Sequence, residues 1–140
     1  MSVLVNSSIA SPRPPTARLR PARIALWVLQ IALAALFFMA GTSKLAGAAA
    51  MVQLFDAIGI GQWFRYVTGA LEVIGAILLV VPAFAALGAV LLAAIMFGAI
   101  VSHVAILHTA PVPLPLFVGL LIIVFVRRAE IAALLARLRR

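Results

Sequence analysis

Long apolar runs separated by short polar breaks dominate the chain, and their lengths predict helices that cross a membrane. The first run extends over about Ile24–Lys44, and Gln30 is its only polar residue before Gly41. A later run, residues 73–102, carries no charge. As a single helix that run would extend roughly 45 Å, well beyond a hydrocarbon core of about 30 Å. It therefore predicts more than one span.

Prolines divide the second half of the chain. Pro82 separates two predicted spans, about Trp63–Val81 and about Ala83–Leu107. The segment from His108 to Pro115 has prolines at alternate positions, which indicates an extended loop. A fourth, shorter span is predicted at about Leu114–Val126. The pattern thus predicts an all-α fold, a transmembrane four-helix bundle.

Two other segments have the periodicity of amphipathic helices. After the first span, apolar residues recur at helical spacing, namely Met51, Leu54, Phe55 and Ile58. We expect a short helix here that lies in the membrane interface and ends at Gly59. Residues 128–140 combine an apolar face with arginines on or near the opposite face. They predict an amphipathic helix at a membrane surface.

The composition is typical of a membrane protein and limits the kinds of partner that the protein can have. Of the 140 residues, 66% are hydrophobic and 10% are charged, whereas a soluble domain is about 25% charged. Eleven basic residues oppose three acidic ones, which gives a net charge of +8. Because the arginines cluster at the two ends, we expect anionic lipid headgroups at both termini, and no nucleic acid, as partners.

The distribution of charge predicts the topology. Residues 1–23 are rich in Ser, Pro and Arg and are predicted to form a disordered basic tail before a transmembrane domain at 24–127. Arginines precede the first span and follow the fourth, which favours cytoplasmic termini under the positive-inside rule. Two termini on one side require an even number of spans, and four spans satisfy this condition. The sequence leaves open whether the protein binds another membrane protein or forms a homo-oligomer.

Glu72 is the one acidic residue within a predicted span. A charged carboxylate at the centre of a bilayer costs on the order of 2.5–3.5 kcal/mol by insertion scales unless it is paired. The residue shares a helix face with small residues such as Thr68 and Gly69, which are typical of close helix packing in membranes. We therefore expect Glu72 to point into the bundle and to mark a candidate site.

The expected partners of Glu72 lie in the same half of the bundle, which the predicted topology makes the outer half. Lys44 is at the end of the first span, and His103 is near the end of the third. Arg65 is one or two turns above Glu72 and is a further candidate partner, unless it only marks the end of its helix and reaches the headgroups. Thr68 adds a hydroxyl. The cluster either forms a structural ion pair that fixes the packing of the helices, or it forms a site for a polar ligand.

Enzyme motifs are not apparent in the sequence. The chain has no cysteine, which removes disulfides and thiolate metal sites. His103 and His108 are five residues apart, about 140° around a helix, so they cannot bind one metal ion from the same helix face. Paired carboxylates, a nucleophile elbow and a phosphate loop are not found. We expect no metal site and no covalent cofactor, and we assign no catalytic residue.

Several segments resemble the motifs of DoxX-like membrane proteins. Phe37–Leu45 resembles the first-helix motif of that family, an aromatic segment followed by Gly-x-x-Lys-Leu. Leu54–Gly59 is similar to the short interfacial element, and Thr68–Glu72 is similar to the Gly-x-x-Glu of the second helix. His103 resembles the polar position near the end of the third helix. The resemblance covers about residues 24–126.

The resemblance implies a four-helix bundle in the cytoplasmic (inner) membrane, with Lys44 and Glu72, and after them His103, as site residues. Members of the family are associated with quinone-linked or oxidative-stress redox systems, and some relatives act in membrane assembly or trafficking. We therefore expect an accessory subunit of a redox system that binds a quinone or a lipid headgroup in the outer half of the bundle. Two alternatives stay open, a scaffold protein with a structural Glu72–Lys44 pair and a small transporter.

Overall fold

The computed structural model describes residues 19–138, and every regular element in that range is a helix, which confirms the predicted all-α fold. The elements, in chain order, are α1 Leu19–Leu45, α2 Ala49–Ile58, α3 Gln62–Val80, α4 Ala85–Val101, a π-helical turn Ser102–Ile106 that continues α4, α5 Leu114–Val126 and α6 Arg128–Leu138. The predicted short helix between the first two spans is therefore present as α2.

Three of the described helices are long and apolar enough to cross a membrane. They are Pro21–Leu45 within α1, Gln62–Val80, and Ala85–Ile106, which includes the π-helical turn. Helix α5 has 13 residues, so it extends about 20 Å against a hydrocarbon core of about 30 Å. A fourth span and cytoplasmic termini therefore stay predictions.

Several helix boundaries differ from the predicted ones for local reasons. Helix α1 begins at Leu19, inside the segment predicted as a tail, and residues 1–18 lie outside the described part of the chain. Helix α3 ends at Val80 because Val81, which precedes Pro82, adopts an extended backbone conformation (φ −89°, ψ 115°). A turn follows, in which the Phe84 amide donates to the Val81 carbonyl, so α4 begins two residues later than predicted.

Helix α3 is at the centre of the bundle, between α1 and α4, and α5 packs against α4 and contacts α1. Each of these helices contributes large side chains to one core. Its most deeply buried members are Phe37, Leu79, Leu92, Leu120 and Ile123. Because lipid tails are as apolar as these side chains, association depends on close packing rather than on exclusion of water.

Glycines allow the closest approaches between helices. A Cβ atom added at Gly41 of α1 would lie 2.7 Å from the carbonyl oxygen of Gly69 on α3. A Cβ atom added at Gly88 of α4 would lie 2.7 Å from the backbone nitrogen of Leu79 on α3. Real Cβ atoms essentially never approach backbone so closely. The central position of α3 therefore depends on missing side chains on both sides.

We expect the substitution Gly41→Ala to lower the free energy of unfolding by about 1–3 kcal/mol, since the new methyl group would push against the backbone of α3. Gly98→Ala on α4 is the matched control, because a Cβ atom there meets no atom within 4 Å. The control should change stability by less than about 1 kcal/mol. Thermal unfolding in mild detergent measures both, and equal midpoints would contradict the argument.

Candidate functional site

An ion pair between α1 and α3 is the centre of the candidate site. The ammonium group of Lys44 donates to both carboxylate oxygens of Glu72, at 3.0 Å to Oε1 and 2.7 Å to Oε2. The Glu72 side chain is 2% exposed and the Lys44 side chain is 13% exposed. The structure thus pairs the two residues that the sequence places together. The pair is neutral as a whole, which is what a low-dielectric environment requires.

The local sequence explains how this pair forms. Gly69 is almost one turn before Glu72, and its missing side chain lets the end of α1 approach. A Cβ atom added at Gly69 would lie 3.0 Å from the Cβ atom of Lys44. Lys44 is close to the last residue of α1, so its long side chain reaches along the interface to the carboxylate. Small residues thus set the distance that the ion pair spans.

Arg65 does not pair with Glu72. Its Nε donates to the Gln62 side-chain oxygen at 2.6 Å, and one terminal nitrogen donates to the backbone carbonyl of Lys44. The residue is 4% exposed, so it does not reach outward to headgroups in the way that a lipid-facing arginine does. Arg65 therefore binds the carboxyl end of α1, the negative end of its helix dipole.

A cavity of about 650 Å³ opens beside the ion pair. Its walls come from α1, α2, α3, α4 with its π-helical turn, and the start of α5. Most lining residues are apolar, and the polar ones are Lys44, Thr68, Glu72, Ser102 and His103. Four of the five residues that the sequence singled out, all except Arg65, therefore line one cavity. The size lies within the range of small-molecule sites, about 300–1,000 Å³.

The other polar residues of the lining make local hydrogen bonds rather than contacts with Glu72. Thr68 donates to the backbone carbonyl of Phe64 at 2.9 Å. His103 lies in the π-helical turn, and its Nδ1 is 2.8 Å from Oγ1 of Thr109. The structure therefore does not give Glu72 the His103 partner that the sequence suggested. π-Helical turns are frequent at functional sites, and this one places His103 at the cavity wall.

Gly98 is a cavity residue that sequence reasoning missed. It lies on α4 and lines the cavity, and a Cβ atom added there would meet nothing within 4 Å. Unlike Gly41 and Gly88, it therefore has no neighbouring helix that requires a glycine. The only signal in the sequence is a glycine inside an apolar helix, which usually indicates packing.

A second buried polar group lies at the other end of the bundle. Gln30 is completely buried, donates to the backbone carbonyl of Leu79 at 2.9 Å and accepts from Arg127 Nη2 at 3.0 Å. Arg127 also forms an ion pair with Glu130, at 2.8 Å. Gln30, the only polar residue in the first apolar run before Gly41, thus connects α1 to α3 and to Arg127. The Arg127 contact was missed because the arginine was counted only as a topology signal.

Within residues 19–138, no group of three or more His, Asp or Glu side chains is arranged to hold a metal ion. The fold and the site define a helical membrane protein with a buried Lys–Glu pair at the edge of an apolar cavity. A model of the DoxX-like family matches residues 28–126, more than half of the chain, so the protein belongs to the DoxX-like family. This confirms the resemblance seen in the sequence. Comparisons with curated proteins and with solved structures gave no match.

A double-mutant cycle on the ion pair tests whether the two charges depend on each other. Removing either charge alone, by Glu72→Gln or Lys44→Gln, should lower the free energy of unfolding by about 3–5 kcal/mol, because it leaves the partner buried and unpaired. The double variant should lose much less than the sum of the two single losses.

The measurement is the unfolding midpoint of all four proteins in the same detergent. If the stability loss of the double variant equals the sum of the two single losses, the two side chains are not coupled and the prediction is wrong.

Proposed function

We propose that the protein is an accessory subunit of a quinone-linked or oxidative-stress redox system, and that its cavity binds the headgroup of a quinone. The observation that carries the proposal is the cavity itself, with apolar walls and the Lys44–Glu72 pair at its edge. Its walls suit an apolar ring and tail, and its polar edge suits a group that accepts hydrogen bonds. The association of the DoxX-like family with such systems supports the redox context.

The geometry of the ion pair favours a neutral acceptor as ligand. An ammonium group has three protons, and the Lys44 ammonium uses hydrogen bonds to both oxygens of Glu72. A further proton is available for the carbonyl oxygen of a quinone. Because Glu72 already balances the charge, the pair attracts an anionic phosphate less than a free lysine would. This comparison favours a quinone over a lipid phosphate in the cavity.

In this proposal the protein's own residues bind the quinone headgroup and orient it. Lys44 donates to the headgroup, and Glu72 holds the ammonium in place. His103 and Ser102 on the facing wall add polar contacts. Electrons come from a partner protein or are carried by the quinone itself, which is why the proposed role is that of an accessory subunit. The family resemblance supports a location in the inner (cytoplasmic) membrane.

A scaffold role is the second candidate, and the closeness of α1 and α3 favours it. The Lys44–Glu72 pair connects these two helices next to the point where Gly41 and Gly69 bring their backbones together. A protein of this kind would dock another membrane protein, and the pair would serve only stability. The two candidates predict different effects of changes that fill the cavity without touching the pair.

The variant Gly98→Leu separates these two functions. Its side chain should occupy the cavity, because a Cβ atom at this position meets no other atom, and the ion pair should stay intact. We expect binding of short-chain ubiquinone and menaquinone to weaken at least about tenfold, equivalent to about 1.4 kcal/mol. The unfolding midpoint without ligand should change little. Quinone titration of the detergent-solubilised protein measures the affinity.

Val90→Leu is the matched control, since Val90 is exposed on the same helix and does not line the cavity. It should bind quinone like the wild type. If the wild type binds neither quinone, or if Gly98→Leu binds both as tightly as the wild type does, the quinone proposal is wrong and the scaffold role is favoured.

A further inference from the structure

Arg65 is a buried cation with no carboxylate partner. The chain contains three acidic side chains, all within the described residues, and each is engaged elsewhere. Asp56 accepts from the Gln62 amide at 2.7 Å, Glu72 pairs with Lys44, and Glu130 pairs with Arg127. Arg65 is nevertheless 4% exposed. Buried charges are normally paired, because burial of an unpaired charge is strongly unfavourable.

The direct contacts of Arg65 are all with neutral acceptors. Its hydrogen-bond acceptors are the neutral Gln62 side chain and the backbone carbonyl of Lys44. The end of a helix dipole supplies only about half a unit of negative charge. The acidic residue linked to Arg65 is Asp56, and the link runs through the Gln62 amide, so no carboxylate touches the guanidinium directly. Its second terminal nitrogen, Nη2, makes no hydrogen bond to another described residue.

Gly47 places no side chain against one edge of this guanidinium. A Cβ atom added at Gly47 would lie 3.8 Å from Nη1 and 3.9 Å from Nη2 of Arg65, and it would meet no other atom within 4 Å. Gly47 also has φ +74°, in the left-handed region that favours glycine. The glycine therefore leaves at least the volume of one methyl group free beside the two terminal nitrogens, the pair that binds oxyanions in a fork.

The surroundings place Arg65 at the depth of lipid headgroups. It lies in the first turn of α3, next to Trp63 and Tyr66, which are 61% and 50% exposed. Exposed Trp and Tyr residues concentrate at the membrane–water interface. The guanidinium also stacks 4.2 Å from the centre of the Tyr66 ring, which holds its plane. A headgroup phosphate at this level can approach the edge beside Gly47.

We propose that Arg65 binds a phosphate oxyanion at the edge left open by Gly47, and that the phosphate belongs to a membrane lipid. The ligand supplies a direct anionic acceptor, which no side chain of the described residues provides, and Arg65 Nη2 supplies an unused donor. This site is separate from the proposed quinone site, since Arg65 does not line the cavity. It therefore does not depend on the proposed function.

The test compares two lipids that differ only in the phosphate. Dioctanoyl phosphatidic acid and dioctanoylglycerol are added separately to the full-length protein in neutral detergent, and the unfolding midpoint Tm is measured. Phosphatidic acid should raise the Tm of the wild type by roughly 5 °C, the scale expected near saturation, and dioctanoylglycerol should not. The variant Arg65→Gln should lose this rise.

The readout is the shift caused by the lipid within each protein, so a lower starting Tm of Arg65→Gln does not affect the comparison. Arg65→Lys keeps the charge without the fork and should show a reduced shift. Arg23→Gln removes an exposed arginine at the start of α1 and should keep the full shift. Native mass spectrometry of the same samples should show phosphatidic acid bound to the wild type and lost from Arg65→Gln.

Three results would overturn the proposal. They are no shift in the wild type, an equal shift in Arg65→Gln, and a shift in the wild type that dioctanoylglycerol reproduces. Inorganic phosphate is the third arm of the experiment. If it shifts the wild type as strongly as phosphatidic acid does, and Arg65→Gln abolishes that shift, the anion site stands but the ligand is a soluble phosphate, which overturns the assignment to a lipid.

Discussion

The close contact between α1 and α3 is the constraint on which the rest of the structure depends. In a bilayer the exclusion of water does not hold helices together. Close backbone packing and polar pairs therefore contribute a larger part of the free energy of helix association. Gly41 and Gly69 bring the two backbones within reach, and only then can Lys44 span the gap to Glu72. The same contact brings the end of α1 to Arg65. One pair of glycines thus positions all three charges.

Much of this architecture could be predicted from hydropathy, proline and charge. The break at Pro82, the short helix after the first span and the bounds of Leu114–Val126 follow from local rules that act within a few residues. The Lys44–Glu72 contact could be predicted because a membrane permits few partners for a carboxylate. The contact between Gln30 and Arg127, which are 97 positions apart, could not, because it depends on how the helices assemble.

The environment of Arg65 shows the limit of the rule that charges at helix ends reach outward. The rule assumes that water or headgroups are the only acceptors available. Here the Lys44 carbonyl at the end of α1 provides an acceptor inside the protein: it accepts from the Gly47 amide at 3.2 Å, and its second lone pair is available to Arg65. Arg65 turns inward to the Lys44 carbonyl, and Gln62 fixes its other side. A sequence cannot show this, because the acceptor belongs to the backbone of another helix.

The two ends of the bundle differ in packing, and this difference connects stability with function. At the Gln30 end, the buried polar groups are hydrogen-bonded, and large side chains such as Leu79, Leu120 and Ile123 fill the interior. At the Lys44 end, a cavity opens beside the tight α1–α3 contact, and its wall at Gly98 has no side chain. A Cβ atom at Gly98 would meet no neighbouring helix, so helix packing alone does not account for a glycine at this position. At this end the α1–α3 contact holds the ion pair in place, and the cavity beside it has the volume of a small-molecule site.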